Sequence, residues 1–191
     1  MTAPEIPWKP TKAQLAEAAS TGTVADVIKD GLSVLFVGIN PGLYSGAIHH
    51  HFGRPGNRFW PALYASGFTP QALSPFEERA LLGYGLGITN LVGRTTATAA
   101  EVTTDELVEG AEALAAKVRR HRPGFVAFLG LTSYRAAFRR PKAVLGLLPD
   151  PFAGTRAWLL PNPSGLNAHH QPADLARMFG ELRVAAGAPP G

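Results

Sequence analysis

At 191 residues and 46% hydrophobic content the chain is long enough for one domain with a real core, and 18 basic against 14 acidic side chains (net +4) allow a polyanionic partner without requiring one. The lack of cysteine excludes disulfides, thiolate metal sites and a cysteine nucleophile. No run approaches the ~18 apolar residues of a membrane span, and Met1–Glu5 lacks the basic-then-apolar start of a secretory signal, so a soluble cytoplasmic protein is expected.

Residues 1–10 read as an extended lead-in with three prolines. Thr11-Lys12-Ala13-Gln14 has capping-box spacing and opens a helix through Ser20. Asp30-Gly31 is a turn. Ser33–Val37 is a continuous apolar run, as suits a strand covered on both faces. Asn57–Ser66 reads as a helix turned to the core through Phe59, Trp60, Leu63 and Tyr64, with Pro61 in its first turn. Ser74-Pro75-Phe76-Glu77 is a second capping box, starting a helix to about Leu82. Leu86–Leu91 is the second strand.

Thr103-Thr104-Asp105-Glu106 caps a long helix to His121, with Leu107, Ala111, Leu114 and Val118 at helical spacing. Its last turn is basic, which suits the helix dipole. Phe125–Leu129 is the third strand, Thr132–Arg139 a short helix, and Ala157–Leu160 the fourth strand. Pro172–Val184 is the last helix, and Ala185–Gly191 reads as a frayed tail. Strands alternating with helices predict a single α/β domain over 1–191. Its core would be a mainly parallel four-stranded sheet between helical layers, a three-layer sandwich.

Gly38-Ile39-Asn40-Pro41-Gly42 ends the first strand. Open α/β sheets bind ligands at the carboxyl ends of their strands. The pentapeptide has the shape of a strand-to-helix elbow with Asn in place of a nucleophilic Ser. An amide can orient a water or read a heterocycle edge, but it is no useful base. Taken alone, the segment is equally a strand ending in an Asn-Pro-Gly turn. The loop Leu160-Pro161-Asn162-Pro163-Ser164-Gly165-Leu166-Asn167 is stiffened by two prolines and holds Leu166 at its tip. An exposed Leu there suits a wedge between base pairs; the plainer alternative tucks it into the domain.

With Asn57-Arg58-Phe59-Trp60 between them, these motifs resemble the mismatch-specific uracil-DNA glycosylases and thymine-DNA glycosylases, in the right order over roughly Leu32 to Leu182. The resemblance implies a uracil-DNA-glycosylase-like fold. It also implies an enzyme of base-excision repair that flips a mispaired or damaged pyrimidine out of the duplex and hydrolyses its N-glycosidic bond. Uracil opposite guanine is the expected substrate, with thymine or ethenocytosine opposite guanine as further candidates. By resemblance Asn40 positions the attacking water, and Gly38, Ile39, Pro41, Gly42, Tyr44, Ser45, Phe52 and Asn57 form the base pocket. Phe52 stacks on the flipped base, unless it is an ordinary core Phe, and Tyr44 excludes the 5-methyl of thymine. Backbone amides of the Gly38–Gly42 turn and near Phe52 are candidates to stabilise the departing base.

Leu166 matches the wedge, and Asn162, Pro163, Ser164 and Gly165 belong to the loop that reads the opposite strand. Arg54, Arg58, Arg94 and His169 are candidate phosphate contacts, each equally explained as a solvated side chain. His49-His50-His51 reads as solvent-facing histidines at the pocket mouth rather than a metal site, since adjacent residues do not converge on one ion. No metal or cofactor is expected, the partner is double-stranded DNA, and a monomer suffices. No lysine lies in either motif for a lyase step.

One departure stands out. Leu91-Val92-Gly93-Arg94 aligns with a family segment that commonly carries an acid where this chain has Gly93. A protein that binds mispairs without cutting them, or cuts them weakly, is therefore the rival expectation. A free-nucleoside hydrolase is disfavoured because it has no use for Leu166.

Overall fold

The apolar runs become the sheet. The computed structural model describes residues 9–166 and 169–188; most of the lead-in, Asn167 and the last three residues of the expected tail lie outside them. The strands are β1 (Val34–Gly38), β2 (Leu86–Asn90), β3 (Phe125–Leu129), β4 (Gly146–Leu147) and β5 (Arg156–Leu160). Their order is β2-β1-β3-β5-β4. The first four are mutually parallel and β4 runs antiparallel to β5.

The sheet thus has five strands where four were expected. β4 is two residues long and begins at Gly146, whose φ is 107°. So short a segment has no alternation to read, and only its pairing with β5 makes it a strand.

Helices cover both faces. Alternate residues of β1, such as Val34 and Phe36, pack with α3 (Phe59–Ala65) and α6 (Pro172–Ala185). Leu35 and Val37 pack on the other face with α4 (Thr104–His121), while α1 (Lys12–Thr21) and α2 (Leu43–Ile48) lie against each other. Phe36 is fully buried, edge-on to Phe59 at 5.4 Å and stacked with Phe179 at 5.8 Å. Removing such a ring from a packed core costs about 3–5 kcal/mol.

The capping boxes at Thr11 and Thr103 form as their sequences predict. The Ser74 box also forms, but on a 3-10 helix, Pro75–Tyr84. The short helix after β3 is α5 (Leu131–Ala137).

One local expectation fails, and one helix goes unread in the sequence. Tyr64 is 51% exposed, because α3 buries Phe59, Trp60, Ala62 and Leu63 and the next position turns to solvent. α2 was not foreseen; its six residues lie between Gly42 and a left-handed His49, too short a run to show periodicity. At the far end Ala188 is buried and its N–H donates to the Arg183 carbonyl, so the tail is tied down to that point.

The chain leaves β1 toward β2 on one side and leaves β3 toward β5 on the other. The crevice between the carboxyl ends of β1 and β3 is therefore the topological switch point. Gly130, just after β3, marks it. Its N–H donates to the Leu160 carbonyl, and a Cβ there would lie 3.3 Å from Ile39 Cδ1 and 3.8 Å from Asn162 Cβ. The loops after β1, β3 and β5 meet at this point.

Candidate active site

A cavity of about 330 Å3 opens at the switch point. Its walls include the whole Gly38–Gly42 segment, Ser45, Phe52, Arg54, Asn57, Asn162, Pro163, Ser164 and Leu166. Motifs more than a hundred residues apart in sequence thus face one space.

The loop after β1 is held by a second loop. Leu91 N–H donates to Gly38, Val92 to Ile39, Thr96 to Pro41, and Leu43 in return to Thr96. Asn40 is locked within that frame. Its Nδ2 donates within 3.1 Å to the carbonyls of Pro41 and Arg94 and sits 2.7 Å from Thr96 Oγ1. With the NH2 group fully engaged, Oδ1 accepts no hydrogen bond from any described residue. The side chain is a fixed acceptor that can hold a water.

Phe52 sits in the left-handed region, with φ 51°, a conformation that costs a bulky side chain energy. Its ring stacks on Phe59 at 4.1 Å and 27°. Phe59 covers one face, and the ring lines the cavity. Phe52 therefore packs against the core and also belongs to the site. Asn57 Oδ1 accepts from Phe59 N–H and fixes the turn into α3.

Some expected residues are placed elsewhere. Tyr44 is not among the described residues lining the cavity; its neighbour Ser45 is, and accepts from Gly53 N–H. Gly165 packs against the Gly56 carbonyl, which a Cβ would approach to 2.4 Å. Leu166 stands 75% exposed at the loop tip.

Of the cations, Arg54 is exposed on the cavity wall. Arg94 forks onto Glu106, with Nε–Oε1 at 2.5 Å and Nη2–Oε2 at 3.0 Å, and also reaches the Glu101 carbonyl. That pairing holds the Glu106 carboxyl down at about 2. Arg58 is turned onto the loop after β5: Nη1 lies 2.5 Å from the His170 carbonyl and Nη2 2.7 Å from that of Ser164. His169 is exposed and borders a neighbouring cleft with Leu145 and Leu166.

In the histidine run His49 is exposed as expected, and the departure is at His51. His51 is 2% exposed and lines the cavity. Its N–H and the His50 ring bind the two oxygens of the buried Glu78. His51 Nε2 faces the Ala25 carbonyl at 3.0 Å, so that nitrogen carries the proton and Nδ1 accepts. Asn90 Nδ2 supplies that acceptor at 3.3 Å. Burial lowers the His51 pKa below 6.5, against the opposing pull of the Glu78 charge. The sequence puts His51 at the pocket mouth but in solvent, and it does not point to Asn90 as a pocket residue. Asn90 had a readable signal, a polar residue ending a buried strand as Asn40 follows one.

Among the described residues lining the cavity there is no carboxylate and no lysine. Gly93, where an acid was expected by resemblance, is exposed, and a Cβ there would meet nothing within 4 Å. The site offers amides, hydroxyls, one neutral imidazole, the Arg54 guanidinium and an aromatic face. Such a set can bind a heterocycle and orient water, and its one basic ring nitrogen, His51 Nδ1, is already engaged by Asn90 Nδ2.

Residues 25–183 match the family model described as the uracil DNA glycosylase superfamily. Among solved structures, the chain is similar to the solution NMR structure of a candidate uracil DNA glycosylase from Methanosarcina acetivorans. The identity is 17%, the match covers 85% of this chain and 98% of that one, and the TM-score is 0.57, which shows a shared fold. Among the described residues no helix is long and apolar enough to cross a membrane.

Proposed function

The chain belongs to the uracil DNA glycosylase superfamily, and from that premise we propose that it excises uracil from G·U mispairs in double-stranded DNA, leaving an abasic site. The observation that carries this reading is the locked Asn40, whose Oδ1 has no partner among the described residues and which lines a cavity large enough to admit a nucleobase.

The chemistry fits a site with no carboxylate among its described lining residues. The C1′–N1 bond breaks with its electron pair leaving on the base, and a water held by Asn40 adds its oxygen to C1′ and releases a proton to solvent. The departing anion and the oxocarbenium-like sugar need positioning more than deprotonation. Phe52 gives the flipped base a stacking face, and Asn90 Oδ1 offers an acceptor to a ring N–H. Leu166 fills the gap in the duplex. Flipping costs least at a mispair, which favours G·U over A·U. No lysine is among the described residues lining the cavity, which fits hydrolysis without a lyase step, and one subunit suffices for this clamp.

The test incubates duplexes holding one G·U or A·U pair with the protein, and with Asn40→Ala, followed by hot alkali. Scission at G·U that disappears in the variant is the expected result. A second reading, mispair binding without cleavage, is favoured by the empty surroundings of Gly93 and the lack of a carboxylate among the described lining residues. Absence of scission together with selective binding of G·U over G·C would establish it instead.

A further inference from the structure

Arg58 fell in the sequence among candidate phosphate contacts, yet its side chain points into the protein. The guanidinium spans two main-chain carbonyls, of Ser164 at 2.7 Å and of His170 at 2.5 Å. These groups lie on either side of Leu166, so the fork ties together the two ends of the loop that carries it. The Arg58 backbone N–H adds a third tie, to the Pro163 carbonyl at 2.9 Å. Inside the loop, Ser164 N–H donates to Asn162 Oδ1 and Leu166 N–H to Ser164 Oγ. Gly165 lies against Gly56, two residues before Arg58. Arg58 also follows Asn57, which lines the cavity and caps the turn into α3.

We propose that Arg58 is a positioning residue that holds the Leu166 loop in its inserting shape before DNA arrives, and so couples the base pocket to the wedge. The proposal rests on the glycosylase reading above for what the wedge does, but the brace itself is a property of the free protein. The physical reason is preorganisation. An exposed Leu on a loose loop must be ordered at the moment of insertion, and ordering each residue costs free energy that weakens binding and slows flipping. A loop already tied at both ends avoids that cost. Only a planar fork with separate donors can reach two carbonyls at once, which makes Arg hard to replace by Lys here.

The experiment compares wild type, Arg58→Met, Arg58→Lys, Leu166→Ala and the Arg58→Met/Leu166→Ala double variant. Met keeps the aliphatic stem, and thermal melting checks that each variant folds. Single-turnover excision on a G·U duplex is read across a salt series. Amide hydrogen exchange is followed in peptides covering Asn162–Leu166. The proposal expects Arg58→Met to slow excision by roughly ten- to a hundredfold and to raise exchange in that segment while the strands stay protected. The double variant should be no slower than Leu166→Ala alone, because both substitutions disable the same element. Arg58→Lys should rescue little, and the salt dependence should not change.

Effects that multiply in the double variant would overturn the proposal. So would rescue by Lys with a salt slope reduced by about one in Arg58→Met, which is the signature of a phosphate contact. If wild type excises nothing, the glycosylase reading falls, and the exchange measurement alone decides the brace: unchanged exchange in Arg58→Met rejects it.

Discussion

Gly38 and Asn90 are direct partners in the parallel register of β1 and β2, and Asn90 Oδ1 occupies the place a Gly38 Cβ would need, 2.4 Å away. The strand end is bare so that the neighbouring amide can lean across it. On the far side His51 Nδ1 takes the Asn90 NH2, and the Ala25 carbonyl holds the His51 proton on Nε2. A chain of fixed donors and acceptors thereby sets which end of the Asn90 amide is presented over Gly38.

Gly38→Ala tests that arrangement. The added methyl meets the end of a flexible side chain rather than backbone, so the strand survives and Asn90 must turn. We expect melting within a few degrees of wild type and excision of uracil reduced by roughly tenfold, about the worth of one hydrogen bond at a site. Unchanged excision at G·U would remove Asn90 from base reading.

The His51 imidazole makes stability depend on pH in a definite direction. Its pKa in the folded protein is lowered from 6.5 by burial. Below 6.5 the unfolded chain takes up a proton that the folded one resists, so this stability is fully present above 6.5 and is lost as pH falls toward the lowered value. Denaturant titrations of wild type and His51→Gln between pH 5 and pH 8 (roughly the span in which an imidazole titrates) should show a smaller fall for the variant. Parallel curves would show that His51 does not carry the effect.

Glu78 is 5% exposed, and its two oxygens take His51 N–H at 2.8 Å and His50 Nδ1 at 2.9 Å. Glu78→Ala leaves a buried N–H without its acceptor, and chemical denaturation should register a loss of about 2–3 kcal/mol. The variant should also bind G·U duplex less well, because His51 and Phe52 follow in the same turn. A stability loss with unaltered duplex binding would separate Glu78 from the site.

Tyr44 was expected by resemblance to guard against the thymine methyl, but the cavity wall is built from Ser45. Tyr44→Ala should therefore leave the ratio of G·T to G·U excision unchanged. A rise in that ratio would put Tyr44 against the bound base after all.

Much of the scaffold was legible because it depends on neighbours in sequence. Thr11, Ser74 and Thr103 announce helix starts through contacts three residues away, and β1 and β3 announce themselves as unbroken apolar runs. The Gly38–Gly42 and Asn162–Leu166 segments were likewise recognisable as compact motifs, and the structure does bring them to one cavity. The two-residue β4 and the six-residue α2 carry too few positions to show a period, so they became visible only through packing.

What the sequence by itself determined is the α/β class, the main strands and the identity of two loops that the fold brings to one cavity. Tertiary structure alone decided what the polar side chains do. Arg58 closes on carbonyls 106 and 112 residues away, His51 N–H meets Glu78 27 residues on, and Asn40 meets Thr96 56 residues on. A charge or an amide has no direction in sequence. It becomes a brace, a buried acceptor or a free reader only when folding chooses which of its hydrogen bonds are already made.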